Sequence, residues 1–231
     1  MDPIRFARQN FSWGPFTEIS EENRQGYDNL LQAGLEKLEN ARAIAIAEEK
    51  PLFVKNHIFH LWEPSSLSQS MWGGECTQPF TCNPRSSTSP TRTNLTIFPD
   101  DYLASWLPVF MIRHPALTFE SWYRAETCAG SVDVLGKSWS FFPTFRWSRQ
   151  LHDLYLSREQ EDPTGGYSKP IVVDADDIIE RWSIDKLCEM CHMDPAHVRY
   201  EWGAKLPADD PKSSQRQKIF MNGLWSSTSI A

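Results

Sequence analysis

Three short apolar runs alternate with longer segments of helical spacing along this chain. The runs lie at residues 51–54, within a strand predicted at 51–58, and at 109–112 and 170–173, and they do not alternate between apolar and polar positions. Such runs are typical of strands that are covered on both faces of a parallel sheet. Because helical segments separate them, the strands are predicted to pair in parallel through right-handed crossovers. The pattern therefore predicts an α/β fold with three αβα layers and a mostly parallel sheet.

The helices are predicted from apolar residues that recur every three to four positions. The first runs from Ser20 to about Glu49, with Asn40 as a candidate break, and Pro51 ends it. The others are predicted at 99–106, 115–127, 143–159, 176–182, 184–192 and 195–202, and from Pro211 toward Trp225. We expect one domain over residues 1–231.

Residues 63–96 are rich in serine, threonine, proline and glycine and show little periodicity. A loop of this length inside a compact domain is commonly functional or disordered. We interpret the segment as a long irregular loop. It is either a lid or acceptor-site loop or a plain mobile insertion.

Composition excludes several classes of protein. The formal net charge of −7 argues against a nucleic-acid partner, which would need a basic face. No apolar run approaches the roughly 20 residues of a membrane span, and the first residues lack the apolar stretch of a signal peptide. The sequence therefore predicts a cytoplasmic protein with no membrane partner, and it leaves the oligomeric state open.

The cysteines do not indicate a cofactor. Their odd number, five, predicts reduced thiols. Cys188 through His192 matches the C-x-x-C-H string of haem attachment, but the same residues have the spacing of an amphipathic helix with Cys188 and Cys191 on its core side. We expect no haem and no metal. The ten tryptophans fit either a core or an aromatic pocket.

Polar side chains follow the first apolar run. Lys55 and His57 are two residues apart, so in an extended segment both side chains lie on one side. A histidine there can take a proton from a hydroxyl near neutral pH, and an ammonium can stabilise a leaving oxyanion. The structural alternative is a solvated lysine beside a histidine that is bonded to the backbone.

A second polar cluster follows the run at 109–112. Arg113 comes directly after the run, and Ser121 lies eight residues later within the next helix. Backbone N–H groups at a helix start, with an arginine beside them, form an anion site. The structural alternative is an arginine paired with a carboxylate and a serine packed in the helix.

Together the two clusters resemble the sulfotransferases. The Lys55–His57 segment is similar to their Lys-x-His segment, and Phe110 through Pro115 with Ser121 is similar to the arginine-to-serine segment that holds the 3′-phosphate of their donor, 3′-phosphoadenosine 5′-phosphosulfate. Residues 170–174 with Asp177 and Leu187-Cys188 resemble a late strand and helix of the same fold, which is of the P-loop NTPase type. The closer likeness is to sulfotransferase-like proteins of fungal secondary-metabolite gene clusters, similar to the group named after pyrrolopyrazine biosynthesis.

The resemblance implies a role for each matching residue. His57 would be the general base and Lys55 would stabilise the transferred charge. Arg113 and Ser121 would bind the donor's 3′-phosphate, so the two clusters should converge at one rim. The implied partner is a small hydroxylated or aromatic metabolite, and the implied activity is that of a tailoring transferase.

One departure from the family pattern bears on the donor. Sulfotransferases open with a strand and a phosphate-binding loop, and no segment before His57 has that form. The chain is therefore expected to lack the first strand and the P-loop. Each charge-assisted hydrogen bond from such a loop is worth about 1.5–3 kcal/mol, so their loss would weaken donor binding.

Two further hypotheses for the function remain, because a fold does not determine the reaction that a protein catalyses. The same scaffold can use His57 as the base of an elimination, cyclisation or isomerisation without a sulfate donor. The chain can also be a non-catalytic remnant that binds or interacts.

Overall fold

A computed structural model describes the protein at residues 15, 18–74, 79–89, 91–130, 132–136, 144–162, 166–203, 218 and 227–229. The chain divides into two compact units. The first unit comprises residues 1–108 and 144–170, and the second comprises residues 109–143 and 171–231. That residues 1–231 form one domain stays a prediction.

The first unit begins with a long helix, α1 (Glu21–Ala47). The Ser20 hydroxyl accepts a hydrogen bond from the Asn23 backbone N–H at 3.3 Å and caps the first turn, as the sequence predicts. The helix runs through Asn40 without interruption, so the candidate break is absent.

The described part of this unit contains three more helices: α2 (Pro64–Trp72), α3 (Asp100–Ala104) and α5 (Arg146–Glu161). The core includes buried side chains of α1, α3 and α5 and of the irregular residues after α2. Among them are Leu31, Leu35, Phe80, Cys82, Ile97, Tyr102, Leu103, Trp147, Leu151 and Tyr155. The hydroxyl of Tyr155 donates to the backbone carbonyl of Leu103 at 2.7 Å, and this bond joins α5 to α3.

The buried strand predicted at residues 51–58 is wrong. Residues 51–57 form no strand, and the side chains of Phe53 and Val54 are 66% and 43% exposed. A 3-10 turn, Ile58–His60, follows directly. An apolar run of this length becomes a buried strand only where a neighbouring strand supplies the ladder, and no described residue pairs with this segment in a sheet.

The prediction of an irregular loop over residues 63–96 is wrong for about the first third of that range. Helix α2 occupies residues 64–72, because Glu63 accepts hydrogen bonds from the first backbone N–H groups and Pro64 suits the first helical position. The described residues after α2 are irregular but well packed, since Phe80, Cys82 and Thr96 are buried there.

The second unit contains a parallel pair of strands, β1 (Val109–Ile112) and β2 (Ile171–Asp174). The register pairs Val109 with Ile171 and Ile112 with Asp174, and the Ala175 N–H donates to the Ile112 carbonyl at 2.8 Å beyond the last pair. Helix α4 (Pro115–Ala129) follows β1. The predicted α/β class with parallel pairing is confirmed.

Helix α6 (Arg181–Met190) follows β2 after a 3-10 turn, Asp177–Ile179. Cys188 is buried in it and Cys191 caps its end, so the C-x-x-C-H string belongs to a packed helix end as the spacing predicts. The helix predicted at 195–202 is only a 3-10 turn, Pro195–His197. The helix predicted from Pro211 lies outside the described residues, apart from Lys218. No helix in the described ranges is both long and apolar enough to cross a bilayer.

Candidate active site

The first candidate pair lies in the extended segment before the 3-10 turn. The Lys55 Nζ and His57 Nε2 atoms are 3.2 Å apart, so both side chains lie on one side, as their spacing predicts. An ammonium can only donate, so Nε2 accepts this hydrogen bond and the proton of the neutral ring sits on Nδ1. The nitrogen that faces Lys55 is therefore the basic one.

The surroundings of His57 favour its neutral form. Loss of solvation is the larger cause that lowers the pKa of His57, and the nearby Lys55 ammonium is the smaller one. A neutral imidazole beside an ammonium can take a proton from a hydroxyl that displaces Lys55 from Nε2.

Two side chains that the sequence did not single out support this pair. The Asn56 Oδ1 atom accepts hydrogen bonds from the His57 backbone N–H at 2.8 Å and from the His60 Nδ1 atom at 3.1 Å. The rings of His57 and His60 meet edge to face with their centroids 5.6 Å apart. The available signal was a second histidine three residues after the first, which is one turn of a 3-10 helix.

The second candidate cluster begins where β1 ends. Arg113 is exposed and forms no salt bridge with any carboxylate that the structure describes, so the expected structural alternative of a paired arginine is not observed. Its guanidinium can accept an anionic partner.

The backbone N–H groups at the start of α4 are not available to an anion, contrary to the sequence-based expectation. His114 caps this helix: its Nδ1 atom accepts from the Ala116 N–H at 3.3 Å, and its carbonyl accepts from the N–H groups of Leu117 and Thr118, both at 3.0 Å. Pro115 has no N–H to offer. An anion site here would have to use side chains, which leaves Arg113 as its main donor.

Ser121 lies on α4, seven residues after the capping His114, and is exposed. Two helical turns separate these residues, so Ser121 lies on the helix face that begins at the cap. No hydrogen bond joins Ser121 to Arg113, although the structure describes both residues. The role of Ser121 stays a prediction.

Carboxylates follow the neighbouring strand at the same sheet edge. Asp174 is the last residue of β2 and pairs with Ile112, so Arg113 follows the end of β1 while Asp176 and Asp177 follow the end of β2, its parallel neighbour. Negative charge at this edge opposes the binding of an anion, and the guanidinium has to overcome it. The sequence-based prediction did not weigh this opposing charge.

The two clusters belong to different units. Lys55 and His57 lie in the first unit, and Arg113 and Ser121 lie in the second. That they converge at one rim stays a prediction. Among the described residues, no group of three histidine, cysteine or acidic side chains is arranged to hold a metal ion.

Comparison with known proteins shows what this chain is similar to. It is 29% identical over 222 residues to a protein named sulfotransferase ppzF from Metarhizium majus, a match that covers 93% of this chain and 65% of that protein. The chain resembles fungal sulfotransferases. The protein of the same name from Metarhizium rileyi is also 29% identical, over 192 residues that cover 80% of this chain and 56% of that relative. The predicted resemblance to sulfotransferase-like fungal proteins is confirmed.

The chain spans about two thirds or less of the length of these relatives. No family model matches it. No solved structure matches it either.

Proposed function

We propose that this protein is a sulfotransferase-like tailoring enzyme that acts on a small hydroxylated or aromatic metabolite in fungal secondary metabolism, encoded in a biosynthetic gene cluster. The observation that carries the proposal is the contact of 3.2 Å between Lys55 Nζ and His57 Nε2, in a chain similar to fungal sulfotransferases. A base and a cation on one side of the chain are the two groups that transfer to a hydroxyl requires.

The donor would be 3′-phosphoadenosine 5′-phosphosulfate, which supplies the sulfuryl group and leaves as adenosine 3′,5′-bisphosphate. The residues fit such a donor because the Arg113 guanidinium has no described carboxylate partner and can form two parallel hydrogen bonds with a phosphate. Ser121 would add one hydroxyl donor.

On the acceptor side, His57 Nε2 takes the proton of the metabolite's hydroxyl. The hydroxyl oxygen then forms the new bond to sulfur as the bond from sulfur to the phosphate oxygen breaks. Lys55 releases Nε2 and turns its ammonium toward the negative charge that develops on the departing phosphate oxygen. The proton remains on His57 until it passes to solvent.

Isothermal titration with adenosine 3′,5′-bisphosphate tests the donor half. We expect binding to the wild-type protein and, for Arg113→Ala, a dissociation constant about 10- to 100-fold higher, because one charge-assisted contact is worth about 1.5–3 kcal/mol. Arg199→Ala is the matched control, since it removes another exposed arginine of the same unit. A wild-type protein that does not bind the bisphosphate removes the proposal.

A second candidate function follows from the same pair. Lys55 and His57 contact each other without any donor, so a base and a cation are also present for an elimination, cyclisation or isomerisation. The observation that favours it is that the first N–H groups of α4 are already bonded to His114, which leaves the donor's 3′-phosphate few backbone donors. If His57→Ala leaves metabolite conversion in a producing host unchanged, this candidate fails too.

A further inference from the structure

A single amide oxygen joins His57 to His60. The backbone N–H of His57 can only donate, so the atom of Asn56 that faces it at 2.8 Å must be the carbonyl oxygen Oδ1. The same oxygen lies 3.1 Å from His60 Nδ1, which must then carry a proton. Asn56 therefore holds the backbone of one histidine and the ring of the other.

The 3-10 turn fixes the distance between the two histidines. The His60 N–H donates to the His57 carbonyl at 2.9 Å, which closes the turn over three residues. Residues three apart in such a turn lie above one another. The two rings consequently meet edge to face, with 5.6 Å between their centroids and an angle of 65° between their planes.

His60 is the better anchored of the two. It is half-buried, whereas His57 is exposed, and the turn that contains His60 packs against α5 in the core of the first unit. An exposed ring on an extended segment otherwise samples several rotamers. The His60 ring, which Asn56 holds, packs against the His57 ring and can restrict it to the orientation in which Nε2 faces Lys55.

We propose that Asn56 and His60 are positioning residues that hold the His57 ring against the Lys55 ammonium. Neither residue is expected to touch the substrate. All four residues lie in the first unit, so the orientation of the His57 ring depends on that unit alone. That this orientation serves catalysis rests on the proposed function.

The test is a histidine NMR titration of the full chain, in which the ring Cε1–Hε1 signal of His57 is followed against pH in the absence of donor and metabolite. In the wild type we expect a pKa below the ordinary histidine value, since loss of solvation and Lys55 both lower it. Asn56→Ala and His60→Phe both remove the hydrogen bond that anchors the ring at position 60, so we expect the His57 ring to be less restrained and to move away from Lys55. We therefore expect the pKa of His57 to rise toward the ordinary value and its ring signal to move.

The choice of substitution at position 60 separates the two contacts. His60→Phe places an aromatic ring at position 60 without the Nδ1 donor, whereas His60→Gln keeps a donor that can reach Asn56 Oδ1. We expect His60→Gln to restore part of the wild-type titration. If the protein is active, we also expect kcat to fall by about tenfold or more in Asn56→Ala, with little change in the acceptor KM, because a misplaced base costs rate more than binding.

His197→Gln is the control, since it removes an exposed histidine of the second unit that pairs with Asp194 at 3.3 Å. It should leave the His57 signal unchanged. A His57 titration that is the same in the wild type, Asn56→Ala and His60→Phe, in variants whose other histidine signals keep their positions, overturns the proposal. The readout needs no donor, so a protein that fails to bind the bisphosphate can still show the positioning.

Discussion

The two units of the chain stabilise their candidate residues in different ways. In the first unit, side chains of three helices share a core, and the buried carboxylates of Glu39 and Glu63 accept hydrogen bonds from backbone N–H groups inside it. In the second unit, two strands of four residues carry the candidate site, and the side chains of Met111 and Val172 are 63% and 49% exposed. A two-stranded pair contributes little stability of its own.

The two units also differ in how firmly they hold the proposed acceptor-side residues and the proposed donor-binding residues. Lys55 and His57 are exposed, but the turn that follows them packs against the core of the first unit. Arg113 and Ser121 stand at the end of a short strand and on an exposed helix face. We therefore expect substitutions elsewhere in the chain to disturb the Lys55–His57 pair less than they disturb Arg113 and Ser121.

The largest expected effect concerns the core of the first unit. Trp147 is 4% exposed, and its ring lies 5.8 Å from that of Trp62. Trp147→Ala removes a buried aromatic side chain and should lower the free energy of unfolding by about 3–5 kcal/mol. The matched change in the second unit is Trp182→Ala, where the side chain is 63% exposed and the loss should stay within about 0.5 kcal/mol. Urea unfolding measures both, and equal losses would contradict the difference between the units.

A smaller effect is expected at the buried carboxylate of Glu63. Its two oxygens accept from the N–H groups of Ser65, Ser66 and Phe80 at 2.7–2.9 Å. Glu63→Ala leaves the buried N–H groups of Ser65 and Phe80 unsatisfied, which should cost about 2–3 kcal/mol of unfolding free energy.

The control for Glu63→Ala is Asp194→Ala in the second unit. Asp194 accepts from one exposed backbone N–H at 2.9 Å at the start of a 3-10 turn. Loss of such a cap costs about 0.5–1 kcal/mol. If Asp194→Ala destabilises the chain as much as Glu63→Ala, burial of the acceptor is not what matters.

The smallest effect is a pH dependence in the first unit. Partial burial by itself raises the pKa of Asp101, but hydrogen bonds donated by Ser87, Thr88 and Ser89 outweigh it and lower the pKa to about 2. A lowered carboxyl pKa stabilises the folded state above the ordinary value near 3.9, and that stability is lost as the pH falls toward 2. Asp101→Asn should flatten the fall in unfolding free energy between pH 4 and pH 2, measured by urea unfolding at each pH. A slope equal to that of the wild type would show that these hydrogen bonds do not discriminate between the charged and the neutral carboxyl.

Much of the fold follows from local patterns. Ser20 before two glutamates predicts the start of α1, and Pro115 predicts the start of α4. The unbroken apolar runs at 109–112 and 170–173 predict the two paired strands, and the two strands are observed to pair in parallel. These predictions succeed because capping, proline geometry and helical spacing act between residues that are close in the chain.

The errors fall where distant residues determine the outcome. Residues 51–57 have the apolar run of a strand but no partner among the described residues to complete a ladder. Residues 64–72 have little helical pattern, yet Glu63 caps them while it also binds the N–H of Phe80, seventeen residues away in the sequence. Pairing and buried acceptors depend on the whole chain, so a local pattern cannot predict them.

The candidate site divides in the same way. The spacing of Lys55 and His57 is enough to place both side chains on one side, because alternate side chains of an extended backbone point the same way. The contact of His57 with His60, the shared acceptor Asn56 and the engaged helix start at His114 appear only in the folded chain. Each backbone or side-chain donor has several possible acceptors, and the tertiary structure determines which donor and acceptor come close enough to form a hydrogen bond.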